Sequence, residues 1–315
     1  MKEGILISFF THGLLSDDVL ENYIRAGRIA AKVREKMREI VREGMPLIDI
    51  CEIAENMIRE MGGNPAFPCN VSVNEIAAHY TSPPNSTIVV PEGSIVKIDI
   101  GVHINGYIAD TATTICFNPE YENMIHAAER ALETAIKVTR PGILISKISS
   151  EIQEVIERYG FKPVYNLCGH EIGRYQVHAG KSIPNVSHLS IERIRPGRVY
   201  AIEPFVTFKS AAGKVEDGAE KYIFRLIKTK CSLKNVEAKN LLRIIEDNFK
   251  TLPFAERWLD KICGYNESYR RAFLELLSSK CLMAYPVFIE VSRKPVAQAE
   301  HTIYVGEKDI IVLTA

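Results

Sequence analysis

Asp99, Asp110, His170, Glu203 and Glu300 are the residues whose types and surroundings fit the binding of divalent metal. Asp99 and Asp110 lie in Lys97-Ile-Asp-Ile-Gly-Val-His-Ile-Asn-Gly-Tyr-Ile-Ala-Asp110, where apolar residues flank both carboxylates. Such a run reads as buried strand, and burying an unpaired carboxylate costs several kcal/mol, so each implies a partner. His170 follows a glycine in Asn166-Leu-Cys-Gly-His170. Glu203 sits in the apolar Ala201-Ile-Glu-Pro204, and Glu300 in Val296-Ala-Gln-Ala-Glu-His-Thr302. A single acid in an apolar strand is more often structural. Four carboxylates with one imidazole form an oxygen-rich set, which suits two ions of the Mn, Fe, Co or Zn kind better than one structural zinc.

The first pair can be tested by register. Asn105-Gly106 is the strongest hairpin signal in the chain. As a two-residue turn it sets Ile104 against Tyr107, Val102 against Ala109 and Asp99 against Ala112. Asp110 has the parity of Ala112, so the two aspartates are diagonal neighbours on one face, with Cβ atoms about 7–8 Å apart. The pair is repulsive alone and stabilising around a cation. His103 pairs with Ile108 and shares the parity of Asp99; it reads as a core or supporting residue rather than a ligand.

The elements that must position these residues follow from periodicity. Residues 18–43 repeat apolar side chains at helical spacing, with Gly27 on the same face permitting close packing and Ser16 or Asp17 as the cap. A second helix runs from Pro46 to about Met61. Strands are expected at Thr87–Val90, Ser94–Val102 and Tyr107–Phe117. Helices follow over Pro119–Val138 and Ile145–Tyr159, then irregular strands to about Lys228. Residues 233–282 turn helical, with runs at Glu237–Phe249, Phe254–Cys263 and Glu267–Leu282. Strands resume at Pro286–Ser292, Ala299–Val305 and Ile310–Leu313. The simplest organisation is an α+β domain over residues 1–228 and 286–315, interrupted by a helical subdomain over 229–285.

The 315 residues, 46% of them hydrophobic, suffice for a large core, and 39 basic against 39 acidic residues disfavour a mainly electrostatic nucleic-acid binder. The apolar stretch Gly4–Phe10 is too short for a signal peptide or a membrane span. Seven scattered cysteines without a CxxC pair read as reduced residues of a cytoplasmic protein.

The ordered motifs Asn74-Glu-Ile-Ala-Ala-His79-Tyr, Asp99 to Asp110, Gly169-His170, Val177-His178-Ala-Gly180, Ile202-Glu203-Pro204 and Gln298-Ala-Glu300-His-Thr302 resemble those of the methionine aminopeptidases, type 2, in their short form. The resemblance covers nearly the whole chain, and the helical insertion between Glu203 and Glu300 is what resembles type 2. It implies the pita-bread fold, a curved antiparallel sheet backed by helices in pseudo-twofold halves. It implies two divalent ions, with Asp99 chelating one, Asp110 and Glu300 bridging both, and His170 and Glu203 completing the second. It assigns substrate contacts to His79 and His178, and Glu203, a ligand that can also exchange a proton, is the candidate general base and later acid. Phe67, Val177 and Tyr285 would form the methionine pocket.

The activity implied is removal of initiator methionine from nascent polypeptides whose second residue is small. The chain's own Met1-Lys2 should then keep its methionine. The resemblance further implies a monomer, with no membrane or specific nucleic-acid partner, and leaves the insertion as the place for any ribosome contact. A proline-specific peptidase of the same fold shares the ligands but carries a sizeable domain before them, whereas the first ligand here is Asp99. A non-catalytic RNA- or ribosome-associated relative predicts substituted ligands and a basic surface; the five donors are all present and the charge is balanced.

Overall fold

Two helix pairs frame the strands. The computed structural model describes residues 15–264 and 266–315. The stretch Gly4–Phe10, His12 and Met1-Lys2 lie outside the described residues. Helices α1 (Asp17–Ile40) and α2 (Leu47–Glu60) pack on the long hairpin Ile95–Ile104/Tyr107–Cys116 through Val33, Met37, Ile50, Ile58, Ile98 and Ile100. Helices α3 (Glu122–Val138) and α4 (Ile145–Arg158) pack through Ala128, Ile148 and Ile152 on strands carrying Tyr200, Ile202 and Ile303.

All strand pairings are antiparallel among the described residues. Ile95–Ile104 carries Asn64–Pro65 and Asn70–Val73 on one edge and its hairpin partner on the other. A five-stranded sheet runs in the order Ile310–Val312, His301–Val305, Arg198–Ile202, Cys168–Ile172, Ser182–Pro184. The bridge between Ala112 and Glu300 joins the hairpin to the strands of the other half.

Helices α5 (Val236–Phe249), α6 (Glu256–Cys263) and α7 (Glu267–Ser278) bury Leu241, Ile245, Trp258, Leu259, Phe273 and Leu276 together in a separate cluster. A three-stranded sheet of Phe254–Ala255, Ile223–Leu226 and Leu282–Tyr285 forms its base. Among the described residues no helix is long and apolar enough to cross a membrane.

Four expectations change. Thr87–Val90 makes only an isolated bridge, Val89 to Pro46, because Pro83, Pro84 and Pro91 flank it and prolines lack the N–H a ladder needs. Phe254–Ala255 is strand, and α6 begins only at Glu256, since Ala255 stays extended after Pro253. α7 ends at Ser278, and Lys280 turns the chain with φ +54° into a strand. Cys231 and Cys281 are joined in a disulfide across 50 residues, a pairing that depends on how the chain folds between them and is invisible in the spacing. Ser16 occupies the N-cap of α1 without a side-chain hydrogen bond.

Gly27 gives a prediction with opposing terms. Helix propensity favours Ala over Gly by about 1 kcal/mol. A Cβ at Gly27, however, would lie 2.0 Å from the Leu313 carbonyl oxygen. Overpacking of this kind costs about 1–3 kcal/mol or more, so Gly27→Ala should lower the urea midpoint. A raised midpoint would show that α1 and the backbone at Leu313 are not in close contact.

Candidate metal centre

The hairpin adopts the register its turn dictates: Ile104 opposite Tyr107, Val102 opposite Ala109, Asp99 opposite Ala112. Asp99 and Asp110 therefore share a face. On the other edge Asn70 pairs with Asp99. His170 lies in Cys168–Ile172 between Ala201 and Ser182. Gly169 before it is needed, since a Cβ there would stand 2.4 Å from the Ala201 carbonyl oxygen. Glu203 follows the strand Arg198–Ile202, where Pro204 removes a backbone donor. Glu300 sits between Val296–Gln298 and His301–Val305, its N–H donating to Ala112 O at 3.2 Å.

These residues converge. His170 Nε2 lies 3.6 Å from Asp110 Oδ2 and 3.5 Å from Glu203 Oε1. Ligand atoms of Asp110, His170 and Glu300 all fall within 4.8 Å of one another. All five predicted donors line one cavity of about 240 Å³.

Hydroxyls fix the backbones that carry them. Thr302 Oγ1 accepts from Asp110 N and donates to Asp110 O, both at 2.7 Å. Thr111 Oγ1 donates to Glu300 O at 2.8 Å and accepts from Arg34 Nη1 at 2.7 Å. Gln298 Nε2 donates to Glu300 Oε2 at 3.1 Å.

The electrostatics of the protein atoms alone are those of crowded, buried acids. Burial pushes the Asp99 carboxyl up to about 7. Burial, then repulsion from Asp99, drives Asp110 well above the usual carboxylate range. Glu203 and Glu300 rise for the same reasons, burial first and Asp110 second. Burial and then His178 press His170 well below the ordinary imidazole value, so it presents a neutral nitrogen. Asp99 Oδ1 and Asp110 Oδ1 are buried and have no hydrogen-bond partner among the described residues. Acceptors left open in this way, in a nest of carboxylates with one neutral imidazole, fit divalent cations.

The remaining predicted residues share the cavity. His79, His178, Phe67, Val177 and Tyr285 all line it. The His178 ring lies 4.2 Å from the His170 ring. His79, held at φ +64°, packs its ring 5.5 Å from Tyr285 and 4.5 Å from Phe288. His103 turns elsewhere: its Nδ1 accepts from Gly106 N at 3.1 Å and its ring meets Tyr175. Sequence reading missed Asn70, Ile223 and Phe288 as cavity residues. The alternation Asn70-Val-Ser-Val73 was the available signal for Asn70, a polar residue placed beside Asp99 by a four-residue strand.

Comparison with known proteins identifies the family of the chain. The model for metallopeptidase family M24 matches residues 21–220. A methionine aminopeptidase of Methanocaldococcus jannaschii is 44% identical over 294 residues, 93% of this chain and 98% of that protein. That of Thermococcus kodakarensis is 41% identical over 298 residues, covering 94% and 100%. Among solved structures, a thermophilic Arx1 superposes with a TM-score of 0.80 at 20% identity, covering 95% of this chain and 91% of that one. A methionine aminopeptidase from Thermotoga maritima gives 0.68 at 22% identity, covering 95% and 98%. The prolidase of Pyrococcus furiosus gives 0.60 at 17%, covering 95% of this chain but 64% of that one. At these identities the structural likenesses establish the pita-bread fold alone.

Burial, followed by the nearby His178, pushes His79 down to about 4. In metal-free protein its NMR titration should therefore centre near 4 rather than near the unperturbed ~6.5. The unfolded chain binds the extra proton between those values, so this group's contribution to stability falls as pH drops from about 6.5 to 4. A His79 midpoint at or above about 6 would contradict the desolvated setting described here.

Proposed function

This chain belongs to metallopeptidase family M24, among the methionine aminopeptidases, and from that we propose that it releases the amino-terminal methionine of nascent polypeptides whose second residue is small. The observation that carries the reading is the convergence of four carboxylates, Asp110 and Glu300 buried and Asp99 and Glu203 partly so, with one neutral imidazole in a cavity that also has apolar walls. Asp99, Asp110, His170, Glu203 and Glu300 would hold two divalent ions of the Co, Mn, Fe or Zn kind, Asp110 and Glu300 serving both. When bound, such ions lower the pKa of a shared water, polarise the substrate carbonyl and anchor the free α-amine.

The chain's own residues do the rest. Phe67, Val177 and Tyr285 receive the methionine side chain. An apolar pocket discriminates by about 1–3 kcal/mol per methylene, which makes selection for methionine strong but incomplete. Glu203 takes the proton of the attacking water and returns it to the departing amide nitrogen. His178, kept neutral by burial and then by the Arg225 charge, donates to the carbonyl oxygen as negative charge grows there. His79 faces the scissile amide. The same walls crowd the second residue of the substrate, which favours small side chains. The substrate is the amino-terminal segment of a nascent chain, and the protein acts as a monomer in the cytoplasm, with the insertion available for a ribosome contact.

Removing the base function tests this directly. Glu203→Gln should lower turnover of Met-Ala-Ser by about 10²–10⁴-fold. Metal analysis of the variant checks that ions are retained. Near-parental turnover with both metals bound would remove Glu203 from the role. Wild-type protein that cleaves Xaa-Pro peptides but leaves Met-Ala-Ser intact would favour a proline-specific peptidase.

A further inference from the structure

The sheet at the base of the helical insertion has two unlike faces. In its middle strand, Phe224 and Leu226 join Leu282 and Ala284 in the insertion core. Pairing sets Ile223 opposite Tyr285 and Arg225 opposite Met283. Side chains alternate along a strand, so Ile223, Arg225, Met283 and Tyr285 share the other face. Ile223 and Tyr285 line the catalytic cavity. Arg225 thus stands one repeat farther along the same wall, about 7 Å from Ile223.

Its surroundings are unusual for an arginine. Among the described residues no carboxylate or carbonyl accepts a hydrogen bond from it, and its Nε is buried without a partner. A buried guanidinium donor left without an acceptor is costly, and a fork that keeps its other donors open can take an anion. The guanidinium is close enough to His178 and to Tyr285 to bear on the acidity of both. The cation is therefore near the residue that faces the scissile carbonyl and at the edge of the methionine pocket. An extended peptide advances about 3.3–3.6 Å per residue. Two residues beyond the scissile bond cover about 7 Å, within the span of an arginine side chain.

We propose that Arg225 receives a carboxylate of the substrate beyond the scissile bond, and so selects peptides with an acidic group near their third position. The inference rests on the aminopeptidase reading and adds a downstream specificity to it. The carboxylate comes either from an acidic side chain or from the free end of a short peptide. Fork-shaped, bidentate pairing suits both.

The test uses metal-loaded full-length protein with amidated Met-Ala-Asp-Ser and Met-Ala-Lys-Ser, and with Met-Ala-Ser as free acid and as amide. The expected result is a KM about 3- to 10-fold lower for the acidic peptide, with the gap closing as salt screens the pair. In Arg225→Met the gap should vanish, whereas Arg225→Lys should keep part of it. A preference confined to free acid over amide would identify the chain terminus as the carboxylate recognised. Equal KM values across both peptide pairs in the wild type, at low and high salt, would overturn the proposal without the variants. So would a preference that survives in folded Arg225→Met. Failure to release methionine from any peptide would instead overturn the aminopeptidase reading itself.

Discussion

Asp99, Asp110, Glu203 and Glu300 crowd like charges into one cavity, and burial raises the proton affinity of each. Such a group has two ways to exist in a fold: it takes up protons, or it closes around cations. Asp99 and Asp110 come from the hairpin backed by α1 and α2, while His170, Glu203 and Glu300 come from strands backed by α3 and α4. The seam between the halves is stitched by Thr302 on Asp110 and by Thr111 on Glu300, with Arg34 behind Thr111. These bonds hold the donor backbones in place, which is what a preorganised metal site demands of its surroundings.

The hairpin was legible because two local signals agree. Asn105-Gly106 fixes the turn, and parity then fixes which carboxylates face each other. The large helices were legible for the same reason, since periodicity is local. What escaped depends on distant chain. The strands Asn64–Pro65, Asn70–Val73 and Ile76–Ala78 have two to four residues, too few for a period, and exist because longer strands accept them. The Cys231–Cys281 bond and the strand at Leu282–Tyr285 require the chain after α7 to fold back on Ile223–Leu226. The convergence of His170, Glu203 and Glu300 on the hairpin was reached through motif resemblance, since no spacing rule brings residues so far apart together. Arg225 is one charge in the apolar run Ile223-Phe-Arg-Leu-Ile227, and only the two-faced sheet shows where it points.

Helices α5 to α7 share an apolar cluster of their own and are tied to other elements by polar contacts. Arg257 of α6 forms a buried ion pair with Glu55 of α2, and Trp258 Nε1 donates to the same carboxylate at 2.6 Å. Arg257 also donates to Thr81 Oγ1 at 2.9 Å, two residues beyond His79. A buried pair of this kind adds little net stability against an apolar replacement, but breaking one partner is costly. Its geometric effect is to hold α6, α2 and the segment carrying His79 in one arrangement, which sets the small sheet that carries Tyr285 and Arg225 against that histidine.

Calorimetry of metal binding in buffers of differing ionisation enthalpy tests the central claim most directly. If crowded, buried acids hold protons until cations replace them, adding Mn or Co to metal-free protein near pH 7 should release about one proton or more per chain. It should also saturate at two ions. Binding with no proton release, or no binding at all, would contradict the account.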